Sequence, residues 1–239
     1  MKEEKIQLEY ISNGKLYNNE KAIISITSWK GRIDKVSKTL FSLLKNCPGF
    51  HIVLVLSEEE FKTKEQELPE DLLLLKDQGL VNINWVGRNV KTFKKLLPTV
   101  KKYYNEKDLL VMTADDDIIY PNFIIERFVA LHNKYPNAFV AFRNIQGRYK
   151  TQPCPNGGAT MYQISFFSDF WFNIPEKVIQ TNEDDWWYAY CMLKTGGRGG
   201  VFSGIPLEFD KSEYGKHGTH PYVTMRILDN LTKEDFGNK

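Results

Sequence analysis

Asp108-Leu109-Leu110-Val111-Met112-Thr113-Ala114-Asp115-Asp116-Asp117-Ile118-Ile119-Tyr120-Pro121 decides the reading of this chain. The apolar run from Leu109 to Met112 reads as a buried strand, and it leads into three consecutive carboxylates. Neighbouring carboxylates repel, so three in a row are costly unless water or a cation offsets them. Open α/β sheets bind ligands at the carboxyl ends of their strands, so this position points to a metal site. An acidic turn is the plain alternative. On an extended backbone Asp115 and Asp117 share one side and Asp116 faces away. Two hard carboxylates completed by water suit Mg²⁺ or Mn²⁺, which usually share their shell with substrate phosphates. Aspartates alone do not separate nucleotide hydrolysis, nucleotidyl transfer and glycosyl transfer.

Strands and helices alternate ahead of this stretch. Ala22–Thr27, His51–Ser57 and Val81–Val86 are β-branched or apolar runs that read as buried strands. Between them, Ile33 to Lys45 places Ile33, Val36, Leu40, Leu43 and Leu44 on one helical face. Glu58 to Glu60 suits a helix start, and Pro69 to Gln78 reads as a helix capped by Gly79. Thr92 to Tyr104 reads as a helix burying Phe93, Leu96, Leu97, Val100 and Tyr104. This alternation predicts an α/β fold, a parallel sheet with helices on both faces. Beyond Asp117 the rhythm changes. Pro121 opens a helix through Lys134, Ala138 to Phe142 is a strand, and a Pro/Gly-rich loop runs from Gln146 to Gly158. An aromatic stretch, Tyr162 to Phe172, precedes a helix from Asp184 to Lys194 that ends at Gly196-Gly197. One domain is expected, with a nucleotide-binding half over about 20–120, an acceptor-binding half over about 121–210 and a tail over 211–239.

Composition narrows the partners. The net charge of +2 is too small for a global field that selects nucleic acid. Cys47, Cys154 and Cys191 are scattered with no CxxC pair, which suits reduced thiols in the cytosol. Met1-Lys2-Glu3-Glu4-Lys5 is too charged for a signal peptide, and no apolar run reaches membrane-spanning length. A cytoplasmic protein is expected, with peripheral docking on the inner face of the membrane left open. Neither a GxxxxGK[ST] loop nor a GxGxxG turn follows the first strand, which excludes the phosphate cradles of P-loop kinases and dehydrogenases.

Two further clusters carry chemistry. Lys94 and Lys95 are suitable point charges for phosphate, but each lies seven residues from another lysine, Lys101 or Lys102, as on a solvated helix face. Asp184 and Asp185 open a helix, where the dipole favours their ionised form and either could accept a proton. Ordinary helix capping is the alternative. Trp186, Trp187, Tyr188 and Tyr190 could stack a sugar, although at helical spacing some of them must be core.

Five segments, in order, resemble those of bacterial GT-A-fold glycosyltransferases with a DxD motif, family-2-like enzymes of surface polysaccharide or lipooligosaccharide synthesis. Ile26-Thr27-Ser28-Trp29-Lys30-Gly31-Arg32-Ile33 resembles their opening (I/L)TS(Y/W)xxRI, and Phe93-Lys94-Lys95-Leu96-Leu97-Pro98 their (Y/T)KKL(I/L)P. Thr113 to Pro121 resembles xDDDxxYP, Gly157 to Tyr162 a glycine-rich acceptor-side strand, and Glu183 to Trp187 the pattern xDDxW. The resemblance implies a GT-A-type, Rossmann-like mixed sheet and a metal-dependent enzyme. Its donor would be a nucleotide-diphosphate sugar, its acceptor a hydroxyl of a glycan or lipid-linked molecule, and its cofactor Mn²⁺ or Mg²⁺. It implies that Thr27 and Arg32 approach the base or diphosphate and that Lys94 or Lys95 reaches the nucleotide. Asp117 would bind metal, Asp115 would face the ribose or share the ion, and Asp116 would lie beside the donor. Gly158 would allow close backbone approach to the sugar, where a flexible loop is the plain reading. One of Asp184 and Asp185, with Asp185 preferred, would be the base, and one of Trp186 and Trp187 would contact the acceptor. A late histidine, His217 or His220, would complete the metal shell. The family often carries Asp-Tyr-Gly before its lysines, whereas this chain has Gly87-Arg88-Asn89-Val90, leaving Asn89 to meet the base or ribose.

Two other classes stay open on sequence alone. A sugar-phosphate nucleotidyltransferase could use a similar sheet, although Thr27 to Arg32 has only one glycine for its usual phosphate loop. A non-catalytic glycan-binding protein would use the aromatics and ignore metal and nucleotide.

Overall fold

The computed structural model describes residues 22–47, 50–142, 155, 158–196, 199–204, 208–209 and 221–236. Strands β1 (Ala22–Thr27), β2 (His51–Ser57), β3 (Asn82–Val86) and β4 (Leu110–Ala114) pair in parallel in the order β3-β2-β1-β4. Then β7 (Ala159–Gln163) joins β4 antiparallel, β6 (Phe139–Ala141) joins β7 antiparallel, and β8 (Gly200–Phe202) closes the seven-stranded sheet parallel to β6. A separate ribbon pairs β5 (Ile118–Ile119) with β9 (Glu208–Phe209). The sheet is therefore mixed, as the family resemblance implies, and not wholly parallel.

Period-two alternation divides the core. Ile24 and Ile26 of β1, Leu54 and Leu56 of β2, and Leu110 and Met112 of β4 face one side. There they meet Val36, Leu40 and Leu43 of α1 (Val36–Asn46), Leu72 and Leu75 of α2 (Glu70–Asp77), and Ile125 and Phe128 of α4 (Ile124–Lys134). Ile23, Val53, Val55 and Val111 face the other side, against Phe93, Leu96 and Val100 around α3 (Leu97–Lys102). This second core also holds Trp187 and Tyr188 of α6 (Asp184–Lys194), Val178 of α5 (Glu176–Ile179) and Met225 of α7 (Pro221–Asp229). From β1 the chain winds outward through α1 and α2 to β3, then crosses to the opposite face and places β4 on the other side of β1. That reversal puts the topological switch point between β1 and β4, where their carboxyl ends separate and leave room for a ligand.

Three sequence expectations are corrected. Glu58 to Glu60 form a turn, because the Glu58 amide donates to Val86 O at 2.8 Å and prolongs the tie to β3. The Thr92–Tyr104 helix is broken: Lys91–Lys95 is a 3₁₀ turn, Leu96 leaves helical geometry at φ −120°, and α3 starts at Leu97. Pro98 lacks the amide hydrogen that a continuous helix would give to Lys94 O. The helix expected from Pro121 begins at Ile124, because Ile118–Ile119 pairs with β9 and Phe123 turns left-handed at φ 61°. Cys47 and Cys191 are buried free thiols. Cys154, Gly157 and most of the 146–158 loop lie outside the described residues.

Candidate active site

β4 ends at Ala114, so the alternation of an extended strand does not continue through the three aspartates. They fan apart. Asp116 turns inward and is buried: Ser28 Oγ donates to its Oδ2 at 2.6 Å and Arg32 Nη1 to its Oδ1 at 2.5 Å. Ser28 and Arg32 follow β1, so these bonds tie the two strand ends together across the switch point. Asp117 lies farther from the same guanidinium nitrogen, at 3.3 Å, and lines a shallow cleft with Arg32, Lys35 and Lys38. Burial lifts the Asp117 carboxyl to about 6; Asp115 adds to the rise, Arg32 opposes it and Asp116 adds a little more. Burial also lifts Asp116, against the pull of Arg32 and Ser28.

Asp115 turns instead to Lys95, whose Nζ donates to its Oδ1 at 2.8 Å. The same ammonium lies 3.2 Å from Oδ2 of Asp184 at the start of α6. Lys95 thus joins carboxylates 69 residues apart in the chain. Burial alone would lower its pKa, but Asp115, Asp184 and Asp185 outweigh burial and raise it. The solvated-face reading of the lysines is overturned, since Lys94 is 1% and Lys95 4% exposed. Lys94 Nζ bonds Glu60 Oε2 at 2.6 Å and Asn89 Oδ1 at 2.9 Å, drawing Asn89 into a second polar cluster. Burial lowers the Lys94 pKa, with Glu60 opposing.

Asp184 and Asp185 both titrate above the usual carboxylate range. Burial is the main cause for each; Lys95 counteracts it at Asp184, while the Asp184 charge adds to it at Asp185. Their neighbour Glu183, half-buried, is lifted to about 7 by burial and by Asp184. A carboxyl with a raised folded pKa holds its proton where the unfolded chain has released it, so it costs stability as pH rises through that window. Stability should therefore fall between about pH 4.5 and about pH 7, and Glu183→Gln should flatten the upper part of that slope. Thermal midpoints measured across that range check this; an unchanged slope in the variant would count against it.

Tyr120 fixes the acidic turn from below. Its buried hydroxyl accepts the Asp115 amide at 2.8 Å and donates to Gly158 O, so Gly158 sits against the carboxylate turn at the head of β7. Thr27 Oγ1 donates to Val55 O at 2.7 Å, which fixes its hydroxyl on β2. Trp187 is corrected: it is fully buried, its Nε1 donates to Trp171 O at 3.1 Å, and its ring stacks on Phe170 and Tyr190, so it has no face for an acceptor. Trp186 is buried in the same cluster. His217 and His220 lie outside the described residues, and among the described residues no three metal-binding side chains come together. Sequence reasoning passed over Ser28, Tyr120, Glu60 and Glu183. Ser28, Tyr120 and Glu183 stood in the quoted motifs, and their hydrogen-bonding groups were the available signal.

The donor chemistry fits a divalent cation. Two hard carboxylates, Asp115 and Asp117, flank the turn, and Asp117 is raised mainly by burial, with the Asp115 charge adding to the rise. Mg²⁺ and Mn²⁺ accept such partial protein shells and keep positions for water and phosphate.

No family model and no curated protein matches the sequence. Solved structures do match the fold. Residues 1-349 of S. aureus TarS in complex with UDP-GlcNAc align at a TM-score of 0.59 and 14% identity, over 90% of this chain and 69% of that one. The same S. aureus fragment in complex with UDP aligns at 0.55 and 12% identity, over 90% and 68%. A longer S. aureus TarS structure aligns at 0.52 and 12% identity, and this chain spans 41% of its length. The likeness establishes the architecture: a single α/β domain with the mixed sheet of GT-A glycosyltransferases.

Proposed function

We propose that this chain is a glycosyltransferase that moves a sugar from a nucleotide-diphosphate donor to a hydroxyl of a glycan or lipid-linked acceptor, inverting the anomeric carbon. The acceptor class is that of bacterial surface polysaccharide or lipooligosaccharide synthesis. The observation that carries the reading is the Lys95 bridge, which brings the Asp115–Asp117 turn and the Asp184–Asp185 helix start into one site. Solved relatives of the fold, in complex with UDP and UDP-GlcNAc, support a nucleotide-sugar donor.

Asp117 and Asp115 would hold Mn²⁺ or Mg²⁺, which supplies positive charge for the departing diphosphate. Arg32 has a different task from the one its motif implies: it neutralises Asp116 and holds the acidic turn against β1. Asn89 and Lys94 flank the nucleotide side, and Gly158 lets the backbone approach the sugar. The base is Asp184. Burial raises both carboxyls, and Lys95, 3.2 Å from Asp184, favours the ionised form of Asp184. As the acceptor oxygen bonds to the anomeric carbon, Asp184 takes the hydroxyl proton and the nucleotide diphosphate leaves with the bonding pair. This single displacement inverts the centre.

A thermal-shift screen of UDP-, GDP-, CMP- and dTDP-sugars with Mn²⁺ tests the reading. A donor at 100 times its dissociation constant adds about 2.7 kcal/mol of stability. One donor should raise the midpoint, and Asp117→Ala or EDTA should abolish the shift. Absence of a shift with every donor, or one indifferent to both treatments, would refute the metal-and-nucleotide site.

A further inference from the structure

The segment after the acidic turn is laced along α1. Thr39 Oγ1 donates to Ile118 O at 2.9 Å, the Tyr120 amide to Ser42 Oγ at 3.0 Å, and Asn46 Nδ2 to Tyr120 O at 2.6 Å. At the end of the helix the Phe123 amide donates to Asn46 O at 3.4 Å. Helix and segment therefore present one continuous outer surface. Opposite the core-facing Val36, Leu40 and Leu43, α1 exposes Lys38, Phe41 and Lys45 at helical spacing. Phe41 is 52% exposed, Phe123 70% and Ile119 39%. Phe123 is held out in a left-handed conformation at φ 61°, which bulky residues rarely adopt.

Charge selects the occupant. Exposed Lys35, Lys38 and Lys45 surround the rings and outnumber the single carboxylate of this helix face, Asp34. Glu126 and Arg127, the exposed pair after Phe123, offset each other. Aromatic and aliphatic side chains ringed by lysines match an anionic bilayer, whose interface takes up the rings while its head groups meet the ammoniums. We infer that the outer face of α1 and the Ile118–Phe123 segment form a docking surface for a bilayer carrying anionic phospholipids. The cleft lined by Asp116 and Asp117 shares Lys35, Lys38 and Ile119 with this face. The inference goes beyond sugar transfer, because lipid binding requires neither donor nor metal.

Co-sedimentation of the full chain with phosphatidylglycerol/phosphatidylcholine vesicles, without nucleotide or Mn²⁺, tests it. Binding should appear at low salt, fade at high salt and be absent with pure phosphatidylcholine. Lys38→Gln with Lys45→Gln should weaken binding by about fivefold for each lysine. Phe41→Ser with Phe123→Gly should weaken it at least about tenfold. Phe123→Gly alone should not lower the thermal midpoint, since glycine suits the left-handed backbone, and this separates lost docking from lost folding. No binding to the anionic vesicles, equal binding to neutral ones, or unchanged binding by both double variants overturns the inference. So does a solution dimer that Phe41→Ser dissociates, which would assign the face to a second copy of the chain. None of these outcomes depends on finding a sugar donor.

Discussion

Lys95→Met should destabilise the folded protein by about 3–5 kcal/mol at neutral pH, the usual cost of removing one member of a buried ion pair. Met nearly fills the volume of the lysine stem, so the loss is electrostatic more than steric. Without the ammonium, Asp115 and Asp184 lose the charge that holds them 2.8 and 3.2 Å from one nitrogen, and Asp185 loses its nearest compensation. The pH dependence has a definite sign. With Lys95 gone, the folded pKa values of Asp184 and Asp185 rise further above their unfolded values. The penalty is therefore small in mild acid, where they are protonated in the folded state with or without Lys95, and grows as pH rises. Lys95→Met with Asp184→Asn should recover part of the loss, because one of the stranded charges is removed. Urea unfolding of the four proteins in the cycle, at about pH 4.5 and about pH 7.5, measures each term. A penalty equal at both pH values, with no recovery in the double variant, would show that Lys95 acts only by packing.

The inner sheet was legible because its alternation is simple. Ile23 against Ile24, Val53 against Leu54 and Val111 against Met112 belong to opposite cores, so the buried residues of those strands are apolar or small. Helix α6 was legible because acidic residues open it and glycine closes it. The solvated-face alternative for the lysines fails for a definable reason. Spacing of seven predicts a shared face only on an unbroken helix, and the break at Leu96 takes Lys94 and Lys95 out of phase with Lys101 and Lys102. The aspartates were misplaced in the same way, by extending strand geometry past Ala114. Arg32 pairs with Asp116 across 84 positions, a contact that arises only because β1 and β4 are neighbours at the switch point. No local pattern encodes it. Four aromatics within five positions likewise could not be phased until Trp171 and Phe170 showed which side of α6 faces inward.

Asp184→Asn should lower sugar transfer by between about 10² and 10⁴, the span contributed by a positioned general base. Asparagine keeps the side-chain shape and removes the proton acceptor. Lys95 retains Asp115 as its partner, so the acidic turn keeps its place and the fold should survive. Donor-induced thermal stabilisation with Mn²⁺ should therefore match the parent protein. That pattern separates this variant from Asp117→Ala, which should lose donor stabilisation and transfer together, because it removes a proposed metal ligand. Asp185→Asn gives the control that decides between adjacent carboxyls. Because Asp185→Asn leaves the Asp184 carboxylate and its Lys95 partner in place, transfer should fall by less than about tenfold, well short of the general-base range. Rates measured at saturating donor, with acceptor varied, place the Asp184→Asn loss in kcat, as expected for a group that acts on the proton in the transition state. If Asp185→Asn were the inactive variant and Asp184→Asn the mild one, the roles would exchange. Lys95 would then only anchor the helix start.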